Sequence, residues 1–133
     1  MKTICVFCGS SKGNNPGYLE SARQLGQCIA REGLSLVYGG SRVGLMTALA
    51  DAALSKGGNV IGVITEFLNE KVGHRGLSEL HVVKNMHERK MKMFHLADAF
   101  IALPGRIGTF EEILEIMTWA QLGLHTKPFG LLN

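Results

Sequence analysis

The residues most able to do chemistry stand together near the end of the chain, in Ala99-Phe100-Ile101-Ala102-Leu103-Pro104-Gly105-Arg106-Ile107-Gly108-Thr109-Phe110-Glu111-Glu112. An apolar run passes into a glycine turn and then into a helix that begins with a hydroxyl and two carboxylates. Such a turn offers unpaired backbone N–H groups and the positive end of a helix dipole to an anion, which is how open α/β folds hold phosphate. Glu112 could act on whatever that turn holds. Its spacing from Thr109 equally fits a capping box, in which the glutamate bonds the amide of the N-cap residue, so capping and catalysis both stand. Arg106 occupies a position where a phosphate loop favours a small residue.

Two further glycine turns follow apolar runs: Cys8-Gly9-Ser10-Ser11 and Tyr38-Gly39-Gly40-Ser41-Arg42-Val43-Gly44. Glycine lets a backbone approach a ligand closely, and the serines add donors. Three such turns at the same edge of one sheet point to a nucleotide or sugar-phosphate site, with Gly9, Ser10, Gly40, Gly44, Gly105, Arg106, Ile107, Gly108 and Thr109 as candidate contacts. The second turn is not a full G-x-G-x-x-G, and no acidic residue stands at a strand end suited to a ribose diol. No Gly-Lys-Ser/Thr occurs either. A nicotinamide-dependent dehydrogenase and a Walker P-loop are therefore disfavoured.

Arg89 and Lys90 flank the apolar stripe Met86, Met93 and Ala97 of an expected helix, within about 60° of it. Cations so placed either snorkel at the edge of the core or reach into a cleft, where a guanidinium would suit a phosphate, a ribose or a carboxylate. His74, His81, His87, His95 and His125 are scattered. His87-Glu88 begins like a zinc-binding helix, but Met91 stands where a second histidine would be needed, so no metal is expected. Cys5 and Cys8 form a C-x-x-C on a strand, where residues three apart face opposite ways; they read as small buried residues.

The elements that must position these groups alternate along the chain. The patterns predict strands at Thr3–Cys8, Leu34–Tyr38, Val60–Ile64, Leu80–Val83, Ala99–Leu103 and Phe129–Leu132, with helices at Pro16–Arg31, Gly44–Lys56, Asn85–Ala97 and Phe110–Leu122. Strands that are apolar without alternation are buried on both faces. The expected architecture is α/β: a doubly wound, mostly parallel, Rossmann-like sheet with helices on both faces, in a single nucleotide-binding domain over residues 1–133. Glu66–Leu77 reads as the longest irregular segment and a mobile loop. Trp119, with Ile116 and Leu122, suggests either a subunit interface or packing on the sheet.

Composition narrows the partners. The chain has 133 residues, 46% hydrophobic and 19% charged, with a net charge of +3. Its basic residues are scattered apart from Arg89-Lys90-Lys92, which argues against nucleic acid as a partner. No apolar run approaches the roughly 18 residues of a membrane span. The first residues do not form a secretion signal, and a cytoplasmic location is expected.

Taken together, Val6-Phe7-Cys8-Gly9-Ser10-Ser11, Leu36-Val37-Tyr38-Gly39-Gly40, Gly44-Leu45-Met46, Met86-His87-Glu88-Arg89-Lys90, Pro104–Glu112 and Thr118-Trp119-Ala120-Gln121-Leu122-Gly123 resemble the LOG (LONELY GUY) family. The resemblance implies a cytokinin riboside 5′-monophosphate phosphoribohydrolase. Such an enzyme cleaves the N-glycosidic bond of adenine-type nucleoside 5′-monophosphates, AMP among them, to free base and ribose 5-phosphate. It implies Arg89 and Glu112 as the catalytic pair, and Lys90, Gly105, Gly108, Thr109, Glu111 and Thr118 as positions lining the nucleotide site. No metal or organic cofactor is implied, and the assembly is expected to be a homodimer.

The sequence departs from the family pattern at four places. Arg106 replaces a glycine, and Ser41 stands where a third glycine often follows Tyr-Gly-Gly. The stretch Leu68–His74 is one residue short, so the acidic ligand that the family carries there is either Glu70 or lost. The chain also ends at Asn133, short of the further C-terminal helices of the family. A residue other than glycine at 106 would strain a positive-φ turn by about 1–2 kcal/mol, block the phosphate pocket, or add a cation to it. The alternative function is therefore a nucleotide or cofactor carrier of the same fold with hydrolysis impaired by Arg106. A lysine decarboxylase is not supported, because no lysine has a recognisable Schiff-base setting.

Overall fold

A computed structural model of the chain describes residues 1–9, 16–103 and 107–132. Among these, strands and helices alternate as β1 (Thr3–Phe7), α1 (Pro16–Arg31), β2 (Ser35–Tyr38), α2 (Gly44–Ser55), β3 (Val60–Thr65), α3 (Glu66–Val72), β4 (Glu79–Val83), α4 (Met86–Leu96), β5 (Ala99–Ala102), α5 (Ile107–Gln121) and β6 (Phe129–Leu131). The strands form one sheet in the order β4-β3-β2-β1-β5-β6, and each pairing is parallel. The doubly wound α/β architecture expected from the apolar runs is what the chain adopts.

Alternation along the strands splits the core into two layers. On one face Ile4, Val6, Leu36, Tyr38 and Val60 pack against Ala22 and Ile29 of α1 and Leu45, Leu49 and Ala53 of α2. On the other, Cys5, Phe7, Val37, Val63 and Phe100 pack against Met93 of α4 and Ile113 and Ile116 of α5. Cys5 and Cys8 thus lie on opposite faces, both buried and both free thiols. Helix α2 ends in paired hydrogen bonds from Gly57 to Leu54 and from Gly58 to Ala53, each satisfying a terminal carbonyl.

Residues 66–77 do not form the irregular loop that their polarity suggests. Thr65 caps α3, its Oγ1 accepting the Leu68 N–H at 3.4 Å, with Glu66 in the first turn and Lys71 in the last, both favourable to the helix dipole. The helix buries no residue, which is why no apolar stripe announces it. The chain after it is stitched to the turn that follows β2. Ser41 and Gly73 form an antiparallel bridge, the Arg42 N–H donates to the Val72 carbonyl at 2.7 Å, and the His74 N–H donates to the Gly40 carbonyl at 3.0 Å.

Strand order reverses between β1 and β5, since β2 to β4 extend from one side of β1 while β5 and β6 lie on the other. In open α/β sheets the crevice beyond the carboxyl ends of the strands at such a switch point is where ligands bind. Among the described residues, Cys8 and Gly9 after β1, Ser41 and Val43 after β2, and Thr109 and Glu112 of α5 face it.

Candidate active site

A cleft of about 450 Å³ occupies this crevice. Cys8 and Gly9 reach it from the end of β1, Arg89 from α4, and Thr109 and Glu112 from α5. The opposite wall is mostly apolar: Val43 and Met46 from the start of α2, Leu68 and Val72 from α3, and Met86 from α4, with Ser41 between them.

Arg89 and Glu112 form its polar centre. Arg89 Nη1 donates to Glu112 Oε2 at 3.0 Å, and Arg89 Nε donates to the Val63 carbonyl at 2.9 Å. Tyr38↔Gly62 is the last register pair between β2 and β3, so Val63 lies just past that ladder. The two side chains are only 6% and 11% exposed. Burial pushes the Glu112 carboxyl above its ordinary range, and the guanidinium opposes that rise. Beside them, burial and then the Glu112 charge push the Cys8 thiol up to about 12, so the cleft floor presents a neutral thiol.

The turn after β2 makes room for this pair. A Cβ on Gly39 would collide with Arg89 Nη2 and press on the thioether of Met46. At Gly40 the backbone adopts φ +74°, a left-handed conformation that glycine adopts without steric cost, and the residue sits tight against Ile64 and Leu80.

Of the two placements open to Arg89 in the sequence, the cleft is the one observed. The residue lies on the buried face of α4 with Met93. The capping box does not form. Helix α5 already includes Ile107 and Gly108, so Thr109 is inside the first turn, and the Glu112 carboxylate turns to Arg89. Of the two readings of the α5 surface, packing holds for Ile116, which is buried on the sheet, and for Trp119, whose ring meets Phe94 edge-on at 5.2 Å. Leu122 is exposed.

Gly9, Arg89, Thr109 and Glu112 therefore meet at one cleft. Other expected contacts lie apart from it. Gly40 backs onto β3, Gly44 lies in a separate groove between α1 and α2, and Thr118 is exposed with its hydroxyl donating to the Leu114 carbonyl. Lys90 is held by Glu111 at 2.5 Å and Glu115 at 2.6 Å. Glu70 is exposed on α3. Ser10, Gly105 and Arg106 lie outside the described residues. The apolar wall was not anticipated; its only sequence signal was that Val43, Met46, Leu68 and Val72 border turns and so have no regular stripe to join. Among the described residues no group of three or more His, Cys, Asp or Glu side chains could hold a metal ion.

Fold and site together define a Rossmann-like α/β domain with a buried carboxylate–guanidinium pair at its ligand crevice. A family model described as "possible lysine decarboxylase" matches residues 46–133. The chain is 54% identical, over 99% of its length and 68% of the other's, to the cytokinin riboside 5′-monophosphate phosphoribohydrolase of Rhodococcoides fascians. It is 51% identical, over 99% of its length and 61% of the other's, to the Arabidopsis thaliana protein of that name, LOG7. Among solved structures it resembles the molybdenum cofactor binding protein of Rippkaea orientalis, with a TM-score of 0.82, 29% identity, and 100% and 77% of the two chains covered. The Moco carrier protein of Chlamydomonas reinhardtii, at 23% identity over 99% and 76% of the two chains and a TM-score of 0.75, shares the fold. This chain belongs to the LOG family.

The chain spans little more than half the length of some curated relatives, 55% for the rice protein LOG. The decarboxylase description finds no support in Lys90, which does not line the cleft. A Schiff-base lysine must be held neutral, whereas hydrogen bonds from Lys90 to Glu111 and Glu115 raise its pKa and keep it charged.

Proposed function

We propose that the protein is an N-glycosidase acting on adenine-type nucleoside 5′-monophosphates, cytokinin riboside monophosphate and AMP, and releasing free base and ribose 5-phosphate. The observation that carries this reading is the buried Arg89–Glu112 pair at the switch-point cleft, in a chain about half identical to proteins named for that reaction. The α5 N-terminus, with Thr109, receives the 5′-phosphate through helix-terminal N–H groups. The apolar wall from Val43 to Met86 takes the base.

The reaction breaks the bond between C1′ and the base nitrogen. The hydroxyl of a water molecule ends on C1′, and its remaining proton on the departing base. Positive charge builds on the ribose as that bond stretches, and Glu112 either stabilises it or orients the attacking water. Arg89 fixes the carboxylate through Nη1 while its own Nε is anchored on Val63. Glu112 and Arg89 are thus the proposed catalytic residues.

Homodimeric assembly belongs to the same proposal. Leu114 on α5 and Leu122 just after it are 53% and 68% exposed, a pattern that favours burial against a second copy. So does a cytoplasmic location, with which the free cysteines Cys5, Cys8 and Cys28 accord.

Incubation with AMP and with isopentenyladenosine monophosphate, followed by chromatography, tests the reading; free base and ribose 5-phosphate are the expected products. Binding of either nucleotide with no product from both would instead favour the carrier reading, to which the 29% identity with a molybdenum cofactor binding protein lends its support. In that case Arg106→Gly restores turnover if Arg106 is the cause.

A further inference from the structure

Lys90 follows Arg89 in sequence yet points to the other side of α4. Arg89 faces inward to Glu112, while Lys90 reaches across to two carboxylates on α5, Glu111 Oε1 at 2.5 Å and Glu115 Oε2 at 2.6 Å. These acceptors flank Glu112, one residue before it and three after. Helix α4 therefore grips α5 from both sides of the catalytic carboxylate. We infer that Lys90 is a positioning residue, one that acts on Glu112 through its clamp on Glu111 and Glu115 and does not touch the nucleotide. The inference rests on the glycosidase reading for its kinetic consequence, but the clamp itself does not.

The charges around Glu112 make this separable from simple bracing. Arg89 and Lys90 face it from α4, Glu111 from its own helix, the thiol of Cys5 from β1 and that of Cys8 from just after that strand. His87 on α4 faces Glu115. Of these, Lys90 favours the ionised form of Glu112 and Glu111 opposes it. Removing one or the other should therefore move the titration of Glu112 in opposite directions, which no loss of mechanical support alone would do.

The experiment compares Lys90→Met, Lys90→Arg and Glu111→Gln. The Glu112 carboxyl is followed by NMR in protein labelled with ¹³C-glutamate, AMP affinity by calorimetry, and AMP hydrolysis across pH. Lys90→Met should raise the Glu112 midpoint and Glu111→Gln lower it, with the acid limb of kcat/KM moving the same way. In Lys90→Met, kcat should drop about tenfold or more as the carboxylate loses its placement, while the AMP Kd stays within about twofold. Lys90→Arg should recover most of the rate.

An AMP Kd weakened about tenfold in Lys90→Met, with the Glu112 midpoint unmoved, would place Lys90 on the nucleotide and overturn the inference. If the unaltered protein does not hydrolyse AMP, the glycosidase reading fails, and the midpoints alone decide the clamp. If Lys90→Met does not fold, Glu115→Gln, which removes one arm of the clamp, takes its place: a lower kcat at an unchanged AMP Kd sustains the inference, and an unchanged kcat overturns it.

Discussion

The guanidinium of Arg89 occupies the space that a side chain on Gly39 would fill. A Cβ there would collide with Nη2, so the glycine after β2 and the arginine of α4, fifty residues apart, are two halves of one arrangement. Gly39→Ala should displace the guanidinium from Glu112 or force the turn to shift. The expected cost is about 1–3 kcal/mol of stability, as for other overpacked interiors, with a fall of about tenfold or more in AMP turnover. Urea denaturation and a hydrolysis assay read the two effects; a variant unchanged in both would show that the turn yields freely.

Replacing the other half has a pH signature. Burial holds the native Glu112 carboxyl above its ordinary range, and Arg89 offsets that. The native state thus keeps its proton to higher pH than the unfolded chain, so ionisation of this group opposes folding as pH rises from the unfolded to the folded pKa. Arg89→Met removes the compensating charge and raises the folded pKa further. The variant should lose about 3–5 kcal/mol relative to the parent at neutral pH, as a buried charge left unpaired does. That difference should shrink as pH falls and Glu112 takes up its proton. Denaturant titrations of both proteins at neutral and mildly acidic pH measure it, and a gap that stays constant with pH would show that Glu112 is not what the variant leaves unpaired.

Glu112→Gln separates chemistry from architecture. The amide oxygen still accepts the Arg89 hydrogen bond, but the buried guanidinium loses its counter-charge, so stability should fall by about 1–3 kcal/mol, less than in Arg89→Met because the hydrogen bond is kept. Product formation should fall by about a hundredfold or more if the carboxylate acts in the reaction. Thermal melts and base release on the same preparation check both. Retained turnover would remove Glu112 from the proposed mechanism.

Much of this frame could be read from residue patterns because the buried strands are near-continuous apolar runs. Val60–Thr65 is buried throughout and reads as a two-sided strand at sight. The glycine turn after β2 was legible because glycine after an apolar run breaks the strand pattern, whereas Arg89 and Glu112 each kept two readings from the residues alone and were paired only by the family resemblance; the structure brings them together. Helix α3 was not, since it buries nothing and is held by a cap and by backbone bonds to the Gly40–Arg42 turn. The first turn of α5 was hidden by Gly108, a poor helix former. The separate fates of Arg89 and Lys90 depend on where α5 lies, and long-range packing of that kind leaves no local trace.

The α3 side of the cleft yields the last prediction. His74 is buried, and its ring is fixed at both nitrogens: Nδ1 accepts the Gly76 N–H at 3.0 Å, which leaves Nε2 to donate to Asp51 Oδ1 at 2.7 Å. Its backbone N–H holds the Gly40 carbonyl, so this one residue ties the segment after α3 to both α2 and the turn beside Arg89. His74→Ala removes the ring contacts and leaves a small void, a loss of about 1–3 kcal/mol. The effect should concentrate where the ties are, because α3 has no buried side chains of its own to hold it. Amide hydrogen exchange should quicken across residues 66–76 more than in the central strands, and KM for AMP should rise more than kcat falls, since Leu68 and Val72 line the cleft while Glu112 stands on another helix. Uniform acceleration across the sheet would instead make His74 a general support of the fold.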